Sequence, residues 1–186
     1  MTYKKERGMG MELKIPENFF VGAAMSGPQT EGAYKTGGRL ESIWDTWSDL
    51  SISDFYNKVG SYVGNNFYEK YEDDIKLLKS LHMDSFRTSM QWSRLLTKDG
   101  KLNQEGAQFY HKVCKCAKEN QIELFMNLYH FDMPTYLFER GGWESRDVVE
   151  AYAAYARAAF REFGSEIRYW FTFNEPIVEP DQRYRN

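Results

Sequence analysis

The tripeptide Asn174-Glu175-Pro176 sets a carboxylate beside a side-chain amide, directly after the aromatic run Tyr169-Trp170-Phe171-Thr172-Phe173. A carboxyl group just beyond an apolar strand is expected to lose hydration, and burial raises its pKa. A general acid working near neutral pH has that requirement. Asn174 can donate an amide hydrogen bond to a substrate hydroxyl. Spacing alone leaves Glu175 equally open to capping or salt-bridging a loop.

Other residues have comparable chemistry. His130 with Asp132 forms either a base with its orienter or a hydrogen-bonding pair for a ligand; a satisfied polar residue at a strand end is the alternative. Arg87 can hold a carboxylate bidentately or serve as a structural arginine. Gln29 can give an amide contact to vicinal hydroxyls or a plain loop hydrogen bond. Trp92 and Trp143 are stacking platforms or core.

These residues need elements that bring them to one place. Phe19 to Met25 is a continuous apolar run, the signal of a buried strand. Ser26 to Asn65 follows as a long polar, Gly-rich connection, longer than ordinary loops, with Trp44, Trp47 and Phe55 as expected packing anchors. Tyr71, Ile75 and Leu78 recur at helical spacing within a helix expected over Phe67 to Leu81. Asp84 to Met90 reads as a strand, Asn103 as the N-cap of a helix through Phe109, Val113 and Ala117, and Ile122 to Tyr129 as a third strand. Ser145 is expected to cap a third helix with the stripe Tyr152, Tyr155, Ala159 and Phe163. Tyr169 to Phe173 is a fourth strand, halted by Pro176.

The resulting β-α-β-α-β-α-β order implies a parallel α/β sheet, either doubly wound or part of a barrel. In both, reactive residues gather at the carboxyl ends of the strands, where Gln29, Gln91, Trp92, His130, Asp132, Asn174 and Glu175 fall.

Composition narrows the function. The 186 residues carry a net charge of −3, with no basic stripe to neutralise phosphates, so nucleic acid is not an expected partner. The only basic cluster, Lys4-Lys5-Glu6-Arg7, reads as a frayed end. No run approaches the roughly 18 apolar residues of a membrane span, and no apolar signal-peptide core follows the start; the expected location is the cytoplasm. Aromatic residues make up 17% of the chain, more than a core of this size needs, so some rings are expected to line a groove. Cys114 and Cys116, at i, i+2 on a helix, face different ways, and no histidine sits at ligand spacing from them; structural thiols are expected, not a disulfide or a metal site. Gly-rich phosphate fingerprints are absent, which weakens a nucleotide-binding reading.

Taken in order, Phe20-Val21-Gly22-Ala23-Ala24 with Gln29-Thr30-Glu31-Gly32-Ala33, the run from Phe86 to Arg94, Leu128-Tyr129-His130-Phe131-Asp132-Met133-Pro134, Gly142-Trp143 and Thr172-Phe173-Asn174-Glu175-Pro176 resemble the signature of glycoside hydrolase family 1. The resemblance covers nearly the whole chain. It implies a (β/α)₈ TIM barrel, of which this chain holds strands 1–4, and retaining β-glycosidase activity. It implies Glu175 as acid/base, Gln29, His130 and Asn174 as hydrogen-bonding partners of the glycone, and Arg87 beneath the site near the nucleophile. The versions around Gln29 and His130 look most like the bacterial 6-phospho-β-glucosidases. The expected partner is then a small phosphorylated β-glycoside, with no cofactor.

The sequence also departs from the family. The family's nucleophile is a second glutamate in a Glu-Asn-Gly motif on strand seven, and no such tripeptide occurs here. The family's phosphate-binding residues likewise lie beyond strand four. Val178 to Asn186 does not look like the family's continuation. The expectation is a truncated chain, residues 1–186 forming one partial-barrel domain, with little hydrolase activity of its own. The alternative function is a catalytically inactive sugar-binding or interaction module. Four strands would leave two open edges and an exposed apolar face, which invite pairing and association, so a homodimer completing a barrel-like core is expected.

Overall fold

The structure, a computed structural model, describes the backbone of residues 14–183 and the side chains of residues 14–180. The Lys4–Arg7 cluster lies outside the described residues. Four strands form the sheet: β1 (Gly22–Ala24), β2 (Ser85–Ser89), β3 (Glu123–Asn127) and β4 (Tyr169–Phe171). They pair in the order β1-β2-β3-β4, and each neighbouring pair is parallel. A doubly wound sheet reverses direction at a switch point. Here every crossover steps the same way, which is the winding of the N-terminal half of a (β/α)₈ barrel.

The helices in chain order are α1 (Gly27–Thr30), α2 (Ile43–Leu50), α3 (Phe67–Ser80), α4 (Trp92–Leu95), α5 (Gln104–Glu119), α6 (Thr135–Phe138), α7 (Arg146–Phe163) and α8 (Val178–Arg183). Helices α3, α5 and α7 are the crossovers. Each turns an apolar stripe inward: Ile75 on α3; Phe109, Val113 and Ala117 on α5; Tyr155, Ala159 and Phe163 on α7 are all buried. Against them lies one face of the sheet, with Phe86, Thr88, Leu124 and Met126 buried. Each fully buried large side chain contributes roughly 1.5–3 kcal/mol, so this layer is where the stability resides. Among the described residues no helix is long and apolar enough to cross a membrane.

The opposite face is the barrel's inner side. Ala24, Arg87, Phe125 and Tyr169 stand in register across it. The Phe125 and Tyr169 rings stack at 4.6 Å, Phe20 meets Phe125 edge-on at 5.2 Å, and Phe171 is exposed. Strand β1 can approach β2 because position 22 is glycine: a Cβ there would sit 2.0 Å from the Ser85 carbonyl oxygen.

Several expectations need correction. The first strand is shorter than Phe19 to Met25, and Phe19 and Phe20 are 59% and 43% exposed; their rings belong to the inner face, which nothing in the described chain covers. Strand β4 stops at Phe171 rather than Phe173. The segment from Ser26 to Asn65 is not a structureless connection, since it contains α1, α2 and two short 3₁₀ turns. The Trp47 ring does contact both Trp44 and Phe55, although Trp47 stays exposed. Asn103 and Ser145 hold the N-cap positions of α5 and α7 without side-chain capping bonds. The Asn103 amide instead donates to the carbonyls of Gly37 and Arg94, holding the long segment down. Cys114 and Cys116 are buried free thiols, and burial, reinforced by Glu166, pushes Cys114 up to about 12.

Candidate active site

Because all four strands run the same way, the segments leaving their carboxyl ends share one rim. Arg87, on the inner face of β2, reaches across β3: its Nη2 donates to Asn174 Oδ1 at 2.8 Å, and its guanidinium lies 5.3 Å from the Phe171 ring centre. It pairs with an amide here, not with the carboxylate that sequence chemistry suggested. The Asn174 backbone N–H donates to the Tyr129 carbonyl at 2.9 Å, tying the segment after β4 to the segment after β3.

His130 stands beside this pair. Burial, then the charge of Arg87, lowers its imidazole to about 4, so the ring is neutral at neutral pH and can both donate and accept. Its Nδ1 lies 3.5 Å from Asn127 Nδ2. Asp132 does not orient the ring directly, as a base-orienter pair would require. Its Oδ1 accepts from the His130 backbone amide at 3.1 Å and its Oδ2 from the Trp92 amide at 2.8 Å. Burial lifts the Asp132 carboxyl to about 7 against these donors.

Gln29 lies on α1 at the same rim, exposed, with its Oε1 accepting from Ser26 Oγ at 2.8 Å. The structure thus joins Arg87, His130 and Asn174 by contact or field, and leaves Gln29 on the rim in a local bond. Glu175 follows at the end of β4 with φ of 43° and is exposed. The burial expected of it is not met, because the inner face beside it is open in the described chain. Trp92 is buried, its ring stacked at 5.3 Å on Tyr155, so it is core and not a platform. Trp143 is half-buried against Tyr129 and Tyr152.

Sequence reading missed the supports of this rim. Glu31 accepts from Arg94 Nε at 2.7 Å, Gln91 Nε2 at 2.6 Å and the Tyr110 hydroxyl at 2.7 Å, all buried. Gln91 Oε1 then accepts from Arg39, whose Nη1 pairs with Asp45 at 2.7 Å. Asp45 caps Ser42, next to the point where the Ile43 amide bonds the Met133 carbonyl at 2.9 Å. One buried polar chain therefore ties together the segments after β1, β2 and β3. Tyr129 donates to Glu179 on α8; burial, then Glu179, pushes that phenol up. Asn127 Oδ1 is buried without a hydrogen-bond partner among the described residues. No motif advertises these roles, since each depends on a partner far away in sequence.

A cavity of about 730 Å³ opens at the other end of the sheet, lined by Asp84, Cys114, Ile122, Glu123 and Glu166 among others. In this fold the strands' amino ends serve stability and their carboxyl ends serve chemistry, so the rim is the site and the cavity is not. Among the described residues no group of three or more His, Cys, Asp or Glu is arranged to hold a metal ion.

Known proteins resemble this arrangement. The 6-phospho-beta-glucosidase GmuD of Bacillus subtilis (strain 168) is 42% identical over 174 residues, covering 93% of this chain and 37% of that protein. Beta-glucosidase 9 of Arabidopsis thaliana is 40% identical over 166 residues, covering 88% of this chain and 32% of that protein. Among solved structures, the rice Os3BGlu6 beta-glucosidase superposes with a TM-score of 0.85 at 36% identity, covering 91% of this chain and 36% of that one. The chain thus spans about a third of the length of these relatives. The match to the glycosyl hydrolase family 1 model runs over residues 11–186, so the stretch from Val178 to Asn186, expected to depart from the family, falls inside it. From that match and from four parallel strands wound as half a barrel, the chain belongs to glycosyl hydrolase family 1.

Proposed function

We propose that this chain supplies the acid/base half of a retaining β-glycosidase site acting on 6-phospho-β-glucosides. The observation that carries the reading is Glu175 at the carboxyl end of β4, held at φ of 43° directly before Pro176. A non-glycine residue in the left-handed region costs about 1–3 kcal/mol, and such strain gathers at functional sites. In this reading Glu175 protonates the departing glycosidic oxygen and later activates water. Gln29, His130 and Asn174 hydrogen-bond the sugar hydroxyls, and Arg87 sits beneath them, positioning Asn174. The 6-phospho preference is supported by the name of the Bacillus subtilis relative, while the Arabidopsis and rice relatives carry the names of plain beta-glucosidases.

A retaining glycosidase needs a second carboxylate about 5–5.5 Å from the first. The family's Glu-Asn-Gly motif is absent from these 186 residues. Purified chain is therefore expected to show little or no turnover of an aryl 6-phospho-β-glucoside. Mixed with a polypeptide carrying strands five to eight of a family 1 enzyme, it is expected to gain turnover. Glu175→Gln is expected to lower that turnover by about 10²–10⁴-fold. Enzyme-like rates from the chain alone, or a Glu175→Gln mixture as active as the parent, would sink the reading. The missing motif favours a second reading for the chain by itself, a sugar-binding module without catalysis; calorimetric binding of the same phosphoglucoside without turnover is its signature.

A further inference from the structure

We infer that Asp132 is a positioning residue of the sugar site, stapling the segment that carries His130 to the segment after β2 through two backbone amides. Asp132 has this role for a sugar only if the rim binds one, as proposed above; the staple itself stands on geometry. The chain leaves β3 at Asn127 and turns sharply at Phe131, whose φ of 64° is left-handed. A bulky residue seldom adopts that conformation unless its surroundings impose it. The turn folds the Asp132 carboxylate back over its own segment. Its Oδ1 then takes the His130 amide at 3.1 Å, and its Oδ2 takes the Trp92 amide at 2.8 Å. The side chain is 0% exposed, so neither bond exchanges with water.

The two oxygens serve two different strands' segments. His130 follows β3, and Trp92 opens α4 after β2. The Trp92 ring is itself locked in the core against Tyr155. The carboxylate thereby refers the His130 backbone to a buried, immobile point. The His130 ring inherits that reference: it is held 3.5 Å from Asn127 Nδ2 and next to Arg87, which bonds Asn174 at 2.8 Å. A hydroxyl recognised by both His130 and Asn174 needs their spacing fixed to about 0.5 Å. Asp132 touches neither sugar nor reacting atoms in this scheme; it acts through His130.

A merely structural carboxylate would leave the His130 ring where it is once the chain has refolded around a substitute. Imidazole NMR titration of the 186-residue chain separates the two cases, with His111, which lies between Glu162 and Glu166, as the internal reference. In the parent chain His130 is expected to titrate below His111, which two glutamates hold up. In Asp132→Asn, where one amide loses its acceptor and the segment loosens into water, His130 is expected to rise by about one pH unit or more toward the ordinary imidazole value, with His111 little changed. A folded Asp132→Asn variant whose His130 titration is unaltered overturns the staple. Should that variant not fold, amide hydrogen exchange on the parent decides: slow exchange at both His130 and Trp92 supports the staple, and exchange at either as fast as at an exposed loop amide overturns it. Calorimetry with an aryl 6-phospho-β-glucoside keeps the two readings apart. Parent binding weakened about tenfold in Asp132→Asn supports positioning for the sugar. An NMR shift without any parent binding leaves the staple in place and sinks the sugar-site reading. Equal binding by both chains overturns the positioning role.

Discussion

Phe131 and Glu175 occupy the same unfavourable backbone region at the ends of neighbouring strands, with φ of 64° and 43°. Each is followed by a residue that fixes the turn, Asp132 by its two amide bonds and Pro176 by its ring. Asp132 also shows how a site residue works against stability. Burial raises its carboxyl to about 7, from an ordinary 3.8 in an unfolded chain. The folded state holds the proton more tightly, so this group's contribution to stability is complete below the unfolded value and is lost as the pH rises through about 7. The ionised form, which accepts both amides best, is therefore the less stable one. Urea midpoints of the parent chain are expected to fall between about pH 5 and pH 7.5 by more than those of Asp132→Asn, which has no proton to lose there. Parallel pH profiles for the two chains would contradict this. Asp132 was visible in the sequence as a neighbour of His130. Its real partners were not, because a backbone amide carries no residue identity to read.

At the scale of elements, the long segment between β1 and α3 is organised by charge more than by apolar contact. Arg94 is fully buried, and its guanidinium serves Glu31, the carbonyls of Thr36, Gly32 and Ala33, and the Tyr68 ring face at 4.4 Å. Arg94→Met would leave Glu31 buried without its countercharge. The expected loss is about 3–5 kcal/mol, read from chemical denaturation; a change under about 1 kcal/mol would show the network to be dispensable. The crossover helices were legible because apolar residues at three- and four-residue spacing need a core to face. The α2 segment was not, since its capping box at Ser42 and Asp45 sits amid glycines and serines that read as loop.

At the scale of the molecule, the open features among the described residues are the inner face and the two sheet edges. Among the described residues, strands β1 and β4 each leave an edge of three residues unpaired, and Phe19, Phe20 and Phe171 are exposed around the inner face. Parallel edges of this kind can pair β4 of one copy with β1 of another without reversing any strand. The 186-residue chain is accordingly expected to self-associate, as light scattering coupled to size exclusion would show. A compact monomer that stays single at tens of micromolar would count against it.

By itself the sequence determined the alternation of strands and helices, the buried stripe of each crossover and the gathering of Gln29, His130, Asn174 and Glu175 at strand carboxyl ends. Those features follow from local periodicity and from the parallel order it enforces. Only the tertiary structure decided that Arg87 holds Asn174, 87 residues away, that Asp132 binds amides instead of an imidazole, and that Glu175 stays in water. Each of these depends on which groups meet across the sheet, and on how far the described residues cover its inner face, and neither is encoded within any short stretch of chain.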